Sequence, residues 1–155
     1  MKNLFLNLKN KLEGVFYFED HGLDNAMRIL YSTDASVYQE KPIAVALPST
    51  KEDIRKLIHF ARENYCSLIP RAAGTSLAGQ VVGNGIVVDI SVGWEKVIEI
   101  NIAEKWVKVQ PGIVRDDLNK YLKQFGLMYG PETSTANRAM IGGMVGNNSC
   151  GLHSI

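Results

Sequence analysis

The stretch Pro70-Arg71-Ala72-Ala73-Gly74-Thr75-Ser76-Leu77-Ala78-Gly79-Gln80 constrains this chain more than any other, because it is too small and polar to form core. Leu68-Ile69-Pro70 reads as a short strand that delivers the chain into a loop running from Arg71 to Gly85, and Ile86 to Ile90 reads as a buried strand beyond it. Small residues let successive backbone N–H groups converge on an anion, a nest that suits a phosphate or pyrophosphate. Thr75 and Ser76 add hydroxyl donors, and Arg71 adds a fixed positive charge. A plain surface loop is the competing reading. Two known phosphate loops are excluded. Gly74 and Gly79 have P-loop spacing, but Gln80 stands where the lysine is needed. Gly83-Asn84-Gly85 leads into a strand, whereas a dinucleotide fingerprint leads into a helix.

Around this loop, strands and helices alternate. Residues 1–40 form a lead segment with Leu4, Leu8 and Leu12 on one helical face, then a second helix from Leu23 to Tyr31 presenting Met27, Leu30 and Tyr31. Ile43 to Leu47 is a strand between Pro42 and Pro48. Ser49 and Thr50 offer caps, with Glu52 and Asp53 three residues after each, so a helix is expected over Lys51–Asn64, carrying Ile54, Leu57, Ile58 and Ala61. Ile98, Ile100 and Ile102 alternate with polar residues, as do Val107 and Val109, predicting a hairpin that turns at Ala103-Glu104-Lys105. Val114, Leu118, Tyr121, Leu122 and Phe125 mark a helix stopped by Gly126.

The tail holds a second glycine-rich region. Gly130-Pro131-Glu132-Thr133-Ser134-Thr135 is followed by Ile141-Gly142-Gly143-Met144-Val145-Gly146-Asn147-Asn148-Ser149-Cys150-Gly151. Gly142, Gly143 and Gly146 allow close approach to a flat or phosphorylated ligand, and Asn147, Asn148 and Ser149 offer donors and acceptors in succession. These loops, with Gln110-Pro111-Gly112, predict one ligand held by several backbone segments.

Composition excludes other classes. At 46% hydrophobic and 21% charged residues the chain is globular rather than disordered, and a net charge of +1 without a one-sign block gives no nucleic-acid footprint. Leu4-Phe5-Leu6 is broken by Asn7, Lys9 and Asn10, so no secretory or membrane segment is expected, and Asn147-Asn148-Ser149 is a sequon by coincidence. Cys66 and Cys150 make no disulfide scaffold, and Cys150 with His153 is too small a set for a metal. Cys66 is expected as a small buried residue, His21 and His59 as surface residues, Asp116 and Asp117 as helix-start charges, and Trp94 and Trp106 as packing residues.

Together, Pro70 to Gln80, Val109-Gln110-Pro111-Gly112 and Gly130 to Gly151 resemble the PCMH-type FAD-binding domain of the vanillyl-alcohol-oxidase type flavoenzymes, in particular the D-lactate, glycolate and D-2-hydroxyglutarate dehydrogenases. The resemblance runs from about Thr33 to the last residue. Tyr31-Ser32-Thr33-Asp34-Ala35-Ser36-Val37-Tyr38, Arg71 to Gln80 and Asn147-Asn148-Ser149-Cys150-Gly151 look like the long fused members, which join an FAD domain to a C-terminal iron–sulfur region. The resemblance implies an α+β fold, with residues 1–40 as an N-terminal helical arm and 41–155 as the FAD-binding domain. It implies FAD pyrophosphate contacts from Arg71, Ala72, Ala73, Gly74, Thr75, Ser76, Leu77, Gly79 and Gln80. Pro111, Gly112, Pro131, Thr133, Ser134, Gly142, Gly143, Gly146, Asn147, Asn148 and Ser149 would line the rest of the cofactor. Some relatives attach flavin through a histidine where this chain has Thr75, so non-covalent FAD is expected.

In that family, hydride leaves C2 of a D-2-hydroxy acid for the flavin while a base takes the hydroxyl proton. The substrate arginine, the metal-binding histidines and any Fe–S cluster of the family fall downstream of the matched region. The family's domain continues past Gly151, whereas this chain ends at His153-Ser154-Ile155. The expectation is therefore a truncated fragment: inactive alone, cytoplasmic, and self-associating through an unfinished sheet edge, with attachment of the parent to the inner face of a membrane left open. Three alternatives stay open: a flavoenzyme of different chemistry, a non-catalytic flavin- or nucleotide-binding module that acts with a partner chain, and a fragment with no physiological role that folds around exposed apolar surface.

Overall fold

The computed structural model describes residues 2–152, and the chain divides into two compact units between Asp89 and Ile90. The first unit contains α1 (Lys2–Lys9), β1 (Val15–Tyr17), α2 (Gly22–Leu30), β2 (Ala44–Leu47), α3 (Lys51–Glu63), β3 (Leu68–Arg71) and β4 (Ile86–Asp89). Its strands form one sheet in the order β1-β2-β4-β3, with β2 and β3 parallel to β4 and β1 antiparallel to β2. Ala44, Val45 and Ala46 are fully buried, as an inner parallel strand covered on both faces requires. Pro70 is tolerated because β3 is an edge strand.

One core face collects Phe5, Leu8, Phe16, Phe18, Ala44, Ala46, Leu57, Ile86 and Val88. The Phe5 ring meets Phe16 and Phe18 edge-on, each with centroids 5.6 Å apart, an arrangement worth about 1 kcal/mol per pair beyond the area buried. The inward face of α1 is thus Phe5 and Leu8, with Leu12 packing against the same core from beyond the helix, and Leu4 is exposed; the bulky aromatic at position 5, not the leucine at position 4, faces inward. On α2 the expected face of Met27, Leu30 and Tyr31 also fails, because Leu30 is exposed and the buried residue is Arg28. Burying a guanidinium requires acceptors. Arg28 Nε donates to the Pro42 carbonyl (2.9 Å) and Nη1 to the Phe18 carbonyl (3.2 Å) and the Asp20 carboxylate (2.7 Å).

Strand β1, too short for the sequence pattern to show, joins the lead segment to the sheet. Gly14 precedes it where a Cβ would lie 2.1 Å from the Leu47 carbonyl oxygen, so only glycine permits this approach. Asp53 holds the same junction. Thr50 caps α3 by accepting from the Asp53 N–H, while the fully buried Asp53 carboxylate accepts from the N–H groups of Glu13 (2.9 Å), Gly14 (2.9 Å) and Ser49 (3.1 Å). Ile58, expected inside, is exposed, and Cys66 is half-buried beside the core, where burial pushes its thiol pKa up.

The second unit contains β5 (Val97–Asn101), β6 (Trp106–Val109), α4 (Arg115–Leu122), a 3₁₀ turn at Lys123–Phe125 and α5 (Ile141–Gly146). β5 and β6 form the expected hairpin, and Lys105 takes a left-handed conformation (φ +57°) in its turn. Gly126 (φ +68°) ends the helical segment as the sequence predicts. Ile113, Leu118, Leu122, Ala139, Ile141 and Met144 form this unit's core. α5 is unexpected in a glycine-rich tract. Ile141 and Met144, one helical turn apart, are both buried, and their burial outweighs the poor helix propensity of Gly142 and Gly143. Trp94 is buried as expected, whereas Trp106 is more than one-third exposed and donates Nε1–H to Glu104.

Candidate functional site

In the first unit the glycine loop leaves β3 at Arg71 and returns to β4. Gly74 (φ +65°) and Gly79 (φ +73°) both sit in the left-handed region and bracket Thr75, Ser76, Leu77 and Ala78. The backbone N–H groups of Thr75, Ser76 and Leu77 make no hydrogen bond among the described residues. Ser76 Oγ accepts from the N–H groups of Ala78 (3.2 Å) and Gln80 (3.4 Å), which leaves its own proton free to donate outward. The Arg71 guanidinium donates from Nη1 to the Thr33 carbonyl (2.7 Å), lies over the Tyr31 ring at 5.2 Å, and has no carboxylate partner among the described residues. Tyr31 donates its phenol to buried Asp89, and burial together with that carboxylate pushes the phenol pKa up. The loop is therefore a set of unspent donors beside an unneutralised cation, which is the chemistry of an anion site.

Residues 32–40 form a hook against this loop. Thr33 and Gln39 bridge, Glu40 N–H donates to the Ser32 carbonyl (2.8 Å), and Asp34 Oδ1 accepts from the Ser36 N–H (2.8 Å). Asp34 Oδ2 is sealed from water without a donor among the described residues. The sequence motif 31–38 carries part of the resemblance, and none of its residues is among the cofactor contacts that the resemblance implies.

The second-unit residues behave differently. Gly112 N–H donates to the Trp94 carbonyl (2.7 Å), and a Cβ there would lie 2.3 Å from the Ile90 carbonyl oxygen, so this glycine is bound up in its own unit's packing. Gly142 N–H is taken by the Pro111 carbonyl (2.8 Å), and the N–H groups of Asn147, Asn148 and Ser149 by the carbonyls of Gly143, Val145 and Met144. The Pro131 carbonyl accepts from Arg115 Nε, Thr133 Oγ1 lies 3.5 Å from Thr135 Oγ1, and Ser134, Gly143 and Gly146 are exposed. A cleft of about 440 Å³ opens beside Gly112, Ile113 and Met140, but Glu95 and Asp117 on its wall repel a phosphate. Asp116 and Asp117 lie in the first turn of α4, and His21 and His59 are exposed, all as expected; His153 lies outside the described residues. Among the described residues, no cluster of three or more His, Cys, Asp or Glu side chains could hold a metal ion, and no helix is long and apolar enough to cross a membrane.

Residues 42–155 match the family described as FAD binding domain. The chain is 42% identical to the D-2-hydroxyglutarate dehydrogenase of Escherichia coli (strain K12), a match covering 98% of this chain and 15% of that protein. It is 30% identical to the glycolate oxidase subunit GlcD of Bacillus subtilis (strain 168), covering 96% of this chain and 32% of the relative. Among solved structures it resembles alkyldihydroxyacetonephosphate synthase, with a TM-score of 0.80 at 20% identity over 97% of this chain and 32% of that one, a likeness of fold. The loop's own geometry fits the diphosphate of FAD: N–H groups without partners among the described residues between two left-handed glycines, two hydroxyls, and a guanidinium that has no carboxylate partner among those residues. On the family match and this fit, the chain belongs to the FAD-binding domain family.

Proposed function

We propose that these residues are part of the FAD-binding domain of a flavin-dependent dehydrogenase that oxidises a D-2-hydroxy acid of the 2-hydroxyglutarate, lactate or glycolate class. The observation that carries this reading is the Thr75–Leu77 run of unspent N–H donors beside Arg71, in a chain similar to a D-2-hydroxyglutarate dehydrogenase. When bound, FAD supplies the hydride acceptor. The residues' own work is binding: Thr75, Ser76 and Leu77 donate to the diphosphate, Ser76 also fixes the turn through Ala78 and Gln80, and Arg71 balances the charge. Pro111, Gly112, Pro131, Thr133, Ser134, Gly142, Gly143, Gly146, Asn147, Asn148 and Ser149 are the candidates for contacts to the rest of the cofactor.

Binding is non-covalent, because Thr75 offers no imidazole for a flavin bond. The reaction needs more of the protein than these 155 residues, which span 15% of the first relative. The parent works in the cytoplasm. The chain alone self-associates through its two-stranded β5–β6 sheet, where Ile98 on β5 and Ile102 in the adjoining turn are exposed.

The test is a flavin fluorescence titration of the purified chain, followed by acid precipitation. Saturable FAD binding, with all flavin released into the supernatant, supports the reading. No saturation up to millimolar FAD sinks the binding assignment, and flavin retained in the pellet sinks its non-covalent part. For the parent, dye reduction is assayed with D-2-hydroxyglutarate, D-lactate and glycolate; inertness to all three rejects the substrate class. Size-exclusion chromatography reads self-association.

A further inference from the structure

We propose that the hook at residues 32–40, which lies ahead of the family match beginning at residue 42, is the positioning element of the glycine loop. This inference rests on the FAD reading for its ligand but not for its geometry. Three contacts carry it, and they grip the loop at its start, its first glycine and its last. Arg71 Nη1 donates to the Thr33 carbonyl (2.7 Å), and Ala35 N–H donates to the Gly74 carbonyl (3.2 Å). At the far end the Tyr38 ring lies flush on Gly79, where a Cβ would stand 2.7 Å from the Tyr38 Cδ2. Both left-handed glycines that bracket the free N–H groups are thus braced from one element. The hook is itself closed by the Thr33–Gln39 bridge and by the Ser36 Oγ that accepts from the Tyr38 N–H (3.1 Å).

The physical consequence is preorganisation. Free N–H groups in a loop are useful to an anion only if they already converge, since ordering a loose loop costs affinity on binding. Here the loop has no ladder of its own between Arg71 and Ile86, so beyond the turn that Ser76 closes, its order comes from contacts outside it. Arg71 then has two parts: its charge faces the anion, and its Nη1 ties the loop to the hook. Tyr38 works through its ring alone, because its hydroxyl makes no hydrogen bond among the described residues.

Tyr38 gives the clean test, since its ring is largely exposed and Tyr38→Ala should fold normally. Backbone ¹⁵N order parameters of Thr75–Gly79 are measured in ligand-free protein, alongside FAD titrations and melting temperature. The expected result is order parameters of about 0.8 in the unaltered chain, falling below about 0.6 in Tyr38→Ala. The FAD dissociation constant should rise about tenfold with the melting temperature nearly unchanged, and Tyr38→Phe should restore both values. Arg71→Lys, which keeps the charge but loses the Thr33 tie, should loosen the loop in the same way. Unchanged order parameters in Tyr38→Ala and Arg71→Lys overturn the proposal whether or not FAD binds. A loop loosened as expected in a chain that does not take up FAD leaves the hook in place and overturns the FAD reading instead.

Discussion

Two glycine-rich tracts in this chain look alike in composition and are built differently. In the first unit, Ala72–Gln80 stays out of helix and strand, and its central N–H groups have no partner among the described residues. In the second, Ile141–Gly146 coils into a short helix, and Gly142, Asn147, Asn148 and Ser149 all give their N–H groups to neighbouring carbonyls. The difference lies in what surrounds the glycines. Ile141 and Met144 can bury themselves by forming a helical turn, so the backbone satisfies itself. The first loop has no such apolar pair, and the hook that braces it meets it with a tyrosine ring, the Ala35 N–H and a carbonyl already taken by Arg71, none of which accepts from the Thr75–Leu77 N–H groups. Glycine content marks where a backbone can bend; the neighbouring side chains decide whether its donors are left for a ligand.

The scaffold under the first loop offers the largest effect. Asp53→Ala strips the acceptor from the N–H groups of Glu13, Gly14 and Ser49 at a fully buried position, and should lower stability by about 4 kcal/mol in urea unfolding. A loss below about 1 kcal/mol would mean that the lead segment is held to the sheet by packing alone. The same carboxylate sets a pH dependence. Burial opposes its ionised form, but the N–H groups of Glu13, Ser49 and Gly14 outweigh that and hold its pKa below the ordinary 3.8. Its contribution is therefore full above pH 3.8 and fades as pH falls through the lower folded value. Urea midpoints at pH 7, 4 and 3 should show this fall in the unaltered chain and a weaker one in Asp53→Asn.

The second unit should be next in size and different in kind. Leu118 is almost fully buried between the hairpin and α5, so Leu118→Ala should cost about 3 kcal/mol through an unfilled cavity. A loss as small as that of an exposed substitution would show that this core is loosely packed. It would also weaken the argument that burial of Ile141 and Met144 drives the α5 coil.

Much of this was legible beforehand, for reasons tied to particular residues. The run Ala44–Leu47, the Thr50–Asp53 cap, the β5–β6 alternation and Gly126 all act within a few positions of themselves, so the sequence displays them. What was hidden depends on distant partners. Arg28 is buried because carbonyls at Phe18 and Pro42 reach it, and β1 exists because Leu47 pairs with Val15. The loop was recognisable from its small residues and Arg71. Its bracing by Thr33, Ala35 and Tyr38 was not, because one contact is a backbone carbonyl, one a backbone N–H and one a ring on a glycine, and none leaves a local pattern.

The smallest effect bears most directly on the comparison between the two tracts. Ser76 and Ser149 both sit in glycine-rich segments that the resemblance assigns to FAD. Ser76 has its proton free and its oxygen fixing the turn that presents Thr75 and Leu77, so Ser76→Ala should weaken FAD binding about tenfold, or about 1.4 kcal/mol. Ser149 gives its N–H to the Met144 carbonyl and its Oγ accepts from Asn147 Nδ2, so Ser149→Ala should change the dissociation constant by less than about twofold. Parallel fluorescence titrations with FAD and with ADP separate the two serines further, because ADP keeps the diphosphate and lacks the flavin. Ser76→Ala should weaken both ligands to a similar degree. If Ser149→Ala instead weakens FAD as strongly as Ser76→Ala does, the hydrogen bonds that close the second tract are exchanged on binding. The contrast between spent and unspent donors would then cease to separate a binding loop from a structural one.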